Sequence, residues 1–479
     1  MMKNAALPTS SINLKSITIY MLIGLTLGIL VSFLGIYSIG LVTIVFALYG
    51  IFKVNLNGLT TIFLTTAVLY VNFLRPLNGF EYFPIMIDIF MFVLVVKYLF
   101  SKEIGKEKIF WIVVVSSFVV ISFLQIFNPN IPSVMAGIEG FRKTSLPFLF
   151  FYVGLLAFKN VKEVKSFIIS FSLISMPILL YGIKQYLFPT NFDMLYIKAN
   201  DADMYTGTFF GKVRATSVFA GPFHFGMFSA VLAVFNLFLI DIVKKKRYKF
   251  YFFLQFLVSV VACYSSLTRT NLIALFVALL LYKILFMDVK KLFIILSVIS
   301  VCFITSINFI ILYSQKLIYS SNDLLRMIGT IANFNEDSRL LGRIHGWETI
   351  LYLIKQQPIT AYGTGSAGDT LQNTYDFQYH VTSHNFFLKV FMETGLFGFI
   401  IILLLFTMIT ITLLKRITIE TNIFNKKLLI CCFSVFSIFL VNTVVGSTIE
   451  TYPVSGFILL MLGLALIKFG KLGHLEIDQ

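Results

Sequence analysis

Long apolar blocks separated by short polar breaks run through most of the chain. Phe250–Leu267, Leu292–Leu312 and Phe397–Leu414 are the clearest. Blocks of this length cross a hydrocarbon core of about 30 Å as helices. They show neither the alternation of a membrane β-barrel nor a helical stripe with a polar back. The pattern predicts an all-α, polytopic membrane protein of about 14 transmembrane helices. They are placed near 17–35, 38–52, 59–74, 84–100, 109–127, 145–158, 166–188, 218–240, 250–267, 271–287, 292–313, 384–414, 428–445 and 454–470. A single membrane domain, 1–479, holds them all, with two long loops at 189–217 and 314–383.

Composition supports this reading. Of 479 residues, 58% are hydrophobic and 13% charged, too few polar groups to cover a soluble domain of this size. The net charge of +16 raises the question of nucleic acid, and the placement of the charges answers it. When span ends are alternated, 24 of the 38 basic residues fall on one set of loops, including Lys102 to Lys108, Lys244 to Lys249, and Lys426 with Lys427. The short loops of the opposite set carry only Arg75, Arg142, Lys143 and Arg269. The positive-inside rule puts the first set in the cytoplasm. Both termini are then cytoplasmic, the two long loops are external, and the membrane is the cytoplasmic (inner) one. Spans 38–52 and 145–158 are short, but removing one would turn the later basic loops outward, so both are kept. The charge excess is a topology signal and an attraction to membrane lipids, not the footprint of a nucleic-acid partner. No small-residue cleavage site follows the polar N-terminus, so the first span is expected to remain. Cys263, Cys302, Cys431 and Cys432 all fall in apolar spans and read as small buried hydrophobes.

The second long loop contains a structured stretch. In residues 342–356, Ile344, Trp347, Leu351 and Ile354 recur at helical spacing and Pro358 ends the run. This predicts an amphipathic helix at the outer interface.

Several polar residues gather at the outer ends of spans. His384-Asn385 stands where the second loop enters a span, and Gly395 and Gly398 follow. At about 100° per residue these offsets return to the face of His384, so one face would carry an imidazole above two glycines that admit a neighbouring helix. Such a histidine is either an interfacial hydrogen-bonding group or a base. Arg214 and Arg269 are either snorkelling anchors or a fork for phosphate oxygens. Arg343 can meet Trp347 one turn away or serve as a third phosphate contact. His380 and His384 have metal spacing on a helix, yet no third ligand is evident. Asp201 and Asp203 could hold a cation, but read more readily as a solvated turn. Gly363, Gly365 and Gly368 spell GxGxxG without the surrounding βαβ unit, which points to a flexible loop or an anion contact rather than a dinucleotide site.

Taken together, these residues resemble the O-antigen ligase and O-antigen polymerase superfamily of polytopic glycosyltransferases. His384-Asn385 followed by Gly395-x-x-Gly398 is similar to the ligase signature. Gly342-Arg343 with Trp347, Pro358 and the Gly363–Gly368 stretch look like the segment before it. Arg214 ahead of a proline-containing span start, and Thr268-Arg269 opening another span, look like the family's two external arginines. The likeness covers about 205–415, and Gly221-Pro222-Phe223-His224 departs from the asparagines the family often has there. The resemblance implies a GT-C-like fold, an undecaprenyl diphosphate-linked oligosaccharide as donor, His384 as the catalytic base, and Arg214, Arg269 and Arg343 as substrate-binding residues. It implies an inverting displacement that needs neither nucleotide, cofactor nor metal, and other polysaccharide assembly proteins as partners.

Three functions are compatible with these residues. A polymerase transfers a growing glycan to the next lipid-linked repeat unit. A ligase or protein O-glycosyltransferase moves finished glycan to another acceptor. A lipid-oligosaccharide transporter would gather its polar residues at the bilayer midplane instead.

Overall fold

The computed structural model describes Leu69 and residues 83–100, 104–158, 160–200, 208–209, 211–287, 305, 312–332, 338–368 and 371–468. The expected spans at 17–35 and 38–52, nearly all of those at 59–74 and 292–313, and Asp201, Asp203 and Cys302 lie outside the described residues. Each remaining expected span holds a helix. The first of these are α1 (Phe83–Leu99), α2 (Lys106–Leu124), α3 (Val134–Ser145), α4 (Phe148–Ala157), α5 (Val161–Leu187) and α6 (Asn191–Asn200). A two-residue pair, β1 (Thr208–Phe209) and β2 (Lys212–Val213), precedes α7 (Pro222–Ile242), α8 (Lys246–Ser265) and α9 (Arg269–Ile284). Then come α10 (Asp323–Ala332), α11 (Ser338–Gln356), α12 (Phe386–Ile419), α13 (Ile423–Thr443) and α14 (Val454–Ala465).

Helix starts follow local chemistry. Asn160, Asn385 and Asn422 cap α5, α12 and α13 by accepting backbone N–H groups, and Pro222 opens α7 where its missing N–H costs nothing. Among the described residues, six helices are long and apolar enough to cross a membrane: α2 with its 3-10 extension to Phe127, α5, α7, α8, α12 and α13. The spans expected at 145–158 and 454–470 are shorter, since α4 has 10 residues and α14 has 12, against about 20 for a full crossing. These two pack on each other. Gly154 sits against the Leu460 carbonyl and Gly463 against the Phe151 carbonyl, with no room for a Cβ at either, the close approach that small residues permit.

Helix α7 is the centre of the bundle, in contact with α5, α8, α9 and α13. Some 78% of its apolar stretch is buried, against 28% for α2 and 33% for α8 and α12. The outer helices turn Phe110 and Val113, Phe253 and Leu257, and Phe397 and Leu403 away from the protein. An apolar exterior of this extent is a lipid-facing surface, and the chain is a membrane protein.

Contacts between loop ends fall into two groups, one at each end of the bundle. At one end Lys468 pairs with Glu107, Lys427 donates to the Asp241 carbonyl at 2.9 Å, and Arg416 donates to the Ala465 and Ile467 carbonyls. At the other, Asn128 donates to the Thr360 carbonyl at 2.9 Å, Tyr375 to Glu139 at 2.9 Å, and Lys212 pairs with Asp323 at 2.7 Å.

The 314–383 segment folds differently from its sequence reading in two places. Helix α11 buries Ile350, Leu353 and Ile354 against Tyr362, Val381 and Met392, while Ile344 and Leu351 of the expected stripe are exposed. The chain after Pro358 folds back and supplies an apolar partner on a different side of the helix, which periodicity alone does not show. The Gly363–Gly368 run is not a flexible loop: residues 361–368 are buried throughout. Its backbone lies against Gly140 of α3, where a Cβ would strike Thr364 and Gly365.

Candidate active site

His384 stands just ahead of α12, half-buried, with a left-handed backbone (φ 38°). A non-glycine residue keeps that conformation only where its surroundings impose it. Here they do so on both sides. Before it, the Ser383 carbonyl accepts from the Trp347 indole at 2.8 Å and the Ser383 hydroxyl meets that of Ser447 at 3.0 Å. After it, Asn385 caps α12 and donates to the Val444 carbonyl at 3.1 Å. Trp347 is therefore a brace for the His384 strand. Arg343 lies one turn away on the same face of α11, half-buried. Residues 380–384 are not helical, so His380 and His384 do not share a helical face, and His380 faces Asp376 at 3.7 Å.

The expected face of His384, Gly395 and Gly398 does not form. Gly395 breaks the helix (φ 69°, ψ −170°). The Ile359 carbonyl occupies the position of its missing Cβ, and the Leu396 N–H donates to the Pro358 carbonyl at 2.9 Å. Gly398 is closed off by Thr394 of the preceding turn, not by a neighbouring helix. The two glycines admit a returning loop and a side chain of their own helix, because the backbone that approaches here comes from before α12.

Arg214 and Arg269 meet around the corner between α8 and α9. Arg214 donates to the Ser266 carbonyl at 3.2 Å and to the Thr268 hydroxyl at 3.1 Å, and Arg269 donates to Thr330 of α10 at 3.1 Å. Both are half-buried. The corner is tied down by the Ala215 N–H to the Ser265 carbonyl, and by Gln185, whose side-chain oxygen accepts from the Thr216 and Ser217 N–H groups. Lys212 and Tyr186 both donate to Asp323, which joins the two long loops. Burial alone would raise the Asp323 pKa, but Lys212, Tyr186 and Arg326 outweigh it and hold the carboxyl below its ordinary range.

The structure thus places Arg214 beside Arg269 at one corner, and sets His384 next to the Ser383 backbone that Trp347, one turn from Arg343, holds. Both lie at the same end of the bundle. They are linked through Phe223, whose carbonyl accepts from Asn271 and whose ring packs on Gly446, next to Ser447. Among the described residues the left-handed non-glycine positions are Ser217, Leu267, Ala361 and His384. Three of them flank or are candidate residues, and backbone strain collects at functional sites.

Sequence reasoning sets Glu393 on the face opposite His384 and misses its partners, Lys389 and Glu450. Lys389 and Glu393, both 0% exposed, pair one turn apart in α12, and Thr144 of α3 donates to Glu393 at 2.8 Å. Glu450 forms an ion pair with Lys389 at 2.9 Å. A lysine and a glutamate four apart inside an otherwise apolar segment were the available signal.

Residues 254–403 match the family model described as O-Antigen ligase. The matched segment begins within α8 and ends within α12, so it carries Arg269, Arg343 and His384 and stops short of Arg214. It covers less than half of the chain and supports membership of the O-antigen ligase and polymerase superfamily. No curated protein matches the chain.

Proposed function

We propose that this protein is a polysaccharide polymerase of the cell envelope. It transfers a glycan chain from undecaprenyl diphosphate to a lipid-linked repeat unit at the outer face of the cytoplasmic membrane. The observation that supports this reading most is that His384, Arg343, Arg214 and Arg269 all stand at one end of the bundle, three of them inside the segment that matches the O-Antigen ligase model. In this reading about 14 spans carry both termini in the cytoplasm and leave 189–217 and 314–383 outside. His384 takes the proton of the acceptor hydroxyl. That oxygen attacks the anomeric carbon, the bond to the diphosphate breaks, and the anomeric centre inverts. Arg214 and Arg269, with Arg343, offset the charge on the departing diphosphate through forked donors. The lipid diphosphate is a good leaving group, so the residues need no nucleotide, cofactor or metal. Its partners are the lipid-linked oligosaccharide, membrane lipids and other polysaccharide assembly proteins, and not nucleic acid.

A ligase or protein O-glycosyltransferase uses the same donor and site, and the family description favours it as the second reading. A transporter is disfavoured by where the charges lie. Among the described residues, the buried ones are Asp193, Asp323, Lys389 and Glu393, in the loop elements and the first turns of α12. Further inside, Ser172, Asn236, Gln255 and Ser259 form a neutral network that satisfies itself, as helix-joining polar groups do.

Reconstitution of the purified protein with undecaprenyl diphosphate-linked repeat units alone decides between the first two readings. A ladder of lengthening products is expected. Product that appears only after a second acceptor is added identifies a ligase. His384→Ala is expected to express normally and to abolish transfer, and full activity in that variant removes His384 from the mechanism.

A further inference from the structure

Lysine and glutamate side chains that are completely buried in a membrane protein are costly, and an apolar pair of similar volume is often at least as stable. Lys389, Glu393 and Glu450 therefore need an explanation other than stability. Lys389 lies in the first turns of α12, five residues after His384. Glu450 closes the short 3-10 turn Thr448–Glu450, whose preceding residue Ser447 bonds to Ser383. The segment 444–450 consequently grips the start of α12 at three points: Val444 to Asn385, Ser447 to Ser383, and Glu450 to Lys389. Those points bracket the left-handed backbone of His384. Gly368 closes the cluster from above, where a Cβ would come within 3.2 Å of the Glu450 carboxylate and 3.7 Å of the Lys389 ammonium. Thr144 closes it from α3. An apolar pair could fill this space, but it would lack the attraction between opposite charges that draws these two positions of α12 and the 444–450 turn together.

We propose that the Lys389–Glu450 ion pair, braced by Glu393, is a positioning device that sets the rotation of α12 against the 444–450 turn and so holds His384 in its left-handed conformation. The inference concerns His384 as an acid–base group and rests on the reading given under Proposed function. Neither Lys389 nor Glu450 is assigned any contact with substrate.

The test compares wild type with Glu450→Gln, Lys389→Met and Ser447→Ala in the reconstituted full-length protein. Glu450→Gln keeps the shape of the side chain, and Ser447→Ala leaves the ion pair intact. The expected result is wild-type stoichiometry and KM for undecaprenyl diphosphate-linked repeat units, with kcat reduced roughly ten- to a hundred-fold in Glu450→Gln and Lys389→Met, and less in Ser447→Ala. Wild-type kcat in Glu450→Gln and Ser447→Ala overturns the proposal. So does a loss of donor binding that matches the loss of rate, since that marks a merely structural role. Hydrogen exchange of the peptide covering 381–388 gives a second reading that does not depend on activity. It is expected to quicken in Glu450→Gln while α7 stays protected, and unchanged exchange also overturns the proposal. Failure of the functional reading looks different: the wild type transfers nothing, or His384→Ala is as fast as wild type, whatever the exchange data show.

Discussion

His384 and the arginines depend on different kinds of support. The histidine is placed by backbone: a left-handed residue between a carbonyl held by Trp347 and a helix cap held by Asn385. The arginines are placed by side-chain donors that already engage Ser266, Thr268 and Thr330, so part of each fork is spent on orientation. Lysine offers one mobile point charge in place of the planar fork. Arg269→Lys is therefore expected to lose most of the transfer rate, about tenfold or more, from the loss of a charged hydrogen bond. Initial rates with lipid-linked repeat units measure this, and a wild-type rate would return Arg269 to an interfacial anchor. The residue types at these positions were legible in the sequence. The partners that orient them were not, because Thr330 and Ser447 are distant in the chain and unremarkable by type.

At the scale of elements, two glycines of the family-like segment separate by their surroundings. Gly342 lies inside α11 with nothing within 4 Å of a built Cβ, so Gly342→Ala is expected to stabilise by about 0.5–1 kcal/mol through helix propensity. Gly395 has φ 69° and a carbonyl in the Cβ position, so Gly395→Ala is expected to destabilise by about 1–3 kcal/mol. Thermal unfolding in detergent reads both, and a stabilised Gly395→Ala would refute the helix break. The joint between the two long loops carries a pH dependence. The folded Asp323 pKa is depressed, so its contribution is fully present above the ordinary carboxylate range and is lost as pH falls through the lower folded value. Protease cleavage near Lys316 is expected to be slow at neutral pH and to quicken only in strong acid, whereas Asp323→Asn should be cut quickly at both. Equal cleavage of variant and wild type at neutral pH would show that the Lys212–Asp323 pair does not hold the loops.

For the whole molecule the decisive question is which end of the bundle faces out. The loop-end contacts define two ends, and in the proposed topology the lysine-rich one faces the cytoplasm. Tyr319 and Ile423 are exposed at opposite ends, at 84% and 71%. Tyr319→Cys is expected to react with a membrane-impermeant maleimide in intact cells, and Ile423→Cys only after the membrane is opened. Cys263, Cys431 and Cys432 are buried and should contribute little background. Labelling of Ile423→Cys alone in intact cells would overturn both the topology and the proposed surface chemistry.

The sequence by itself determined that the protein is helical and lies in a membrane, and which residue types stand in the polar breaks between its apolar runs. These properties follow from the length of apolar runs and the distribution of charge, and both can be summed along the chain without knowing what packs on what. Only the tertiary structure decided that α11 buries Ile350 and Leu353 with Ile354 and leaves Ile344 and Leu351 of the expected stripe exposed, that Gly395 breaks a helix, that α4 and α14 cross at glycines, and that Lys389 and Glu450 meet near His384. Each of these depends on which distant backbone comes close. Pro358 to Gly368 folds over α11, α3 and the start of α12, and the 444–450 turn closes the other side. A side chain's role there is set by a neighbour that its own local sequence does not name.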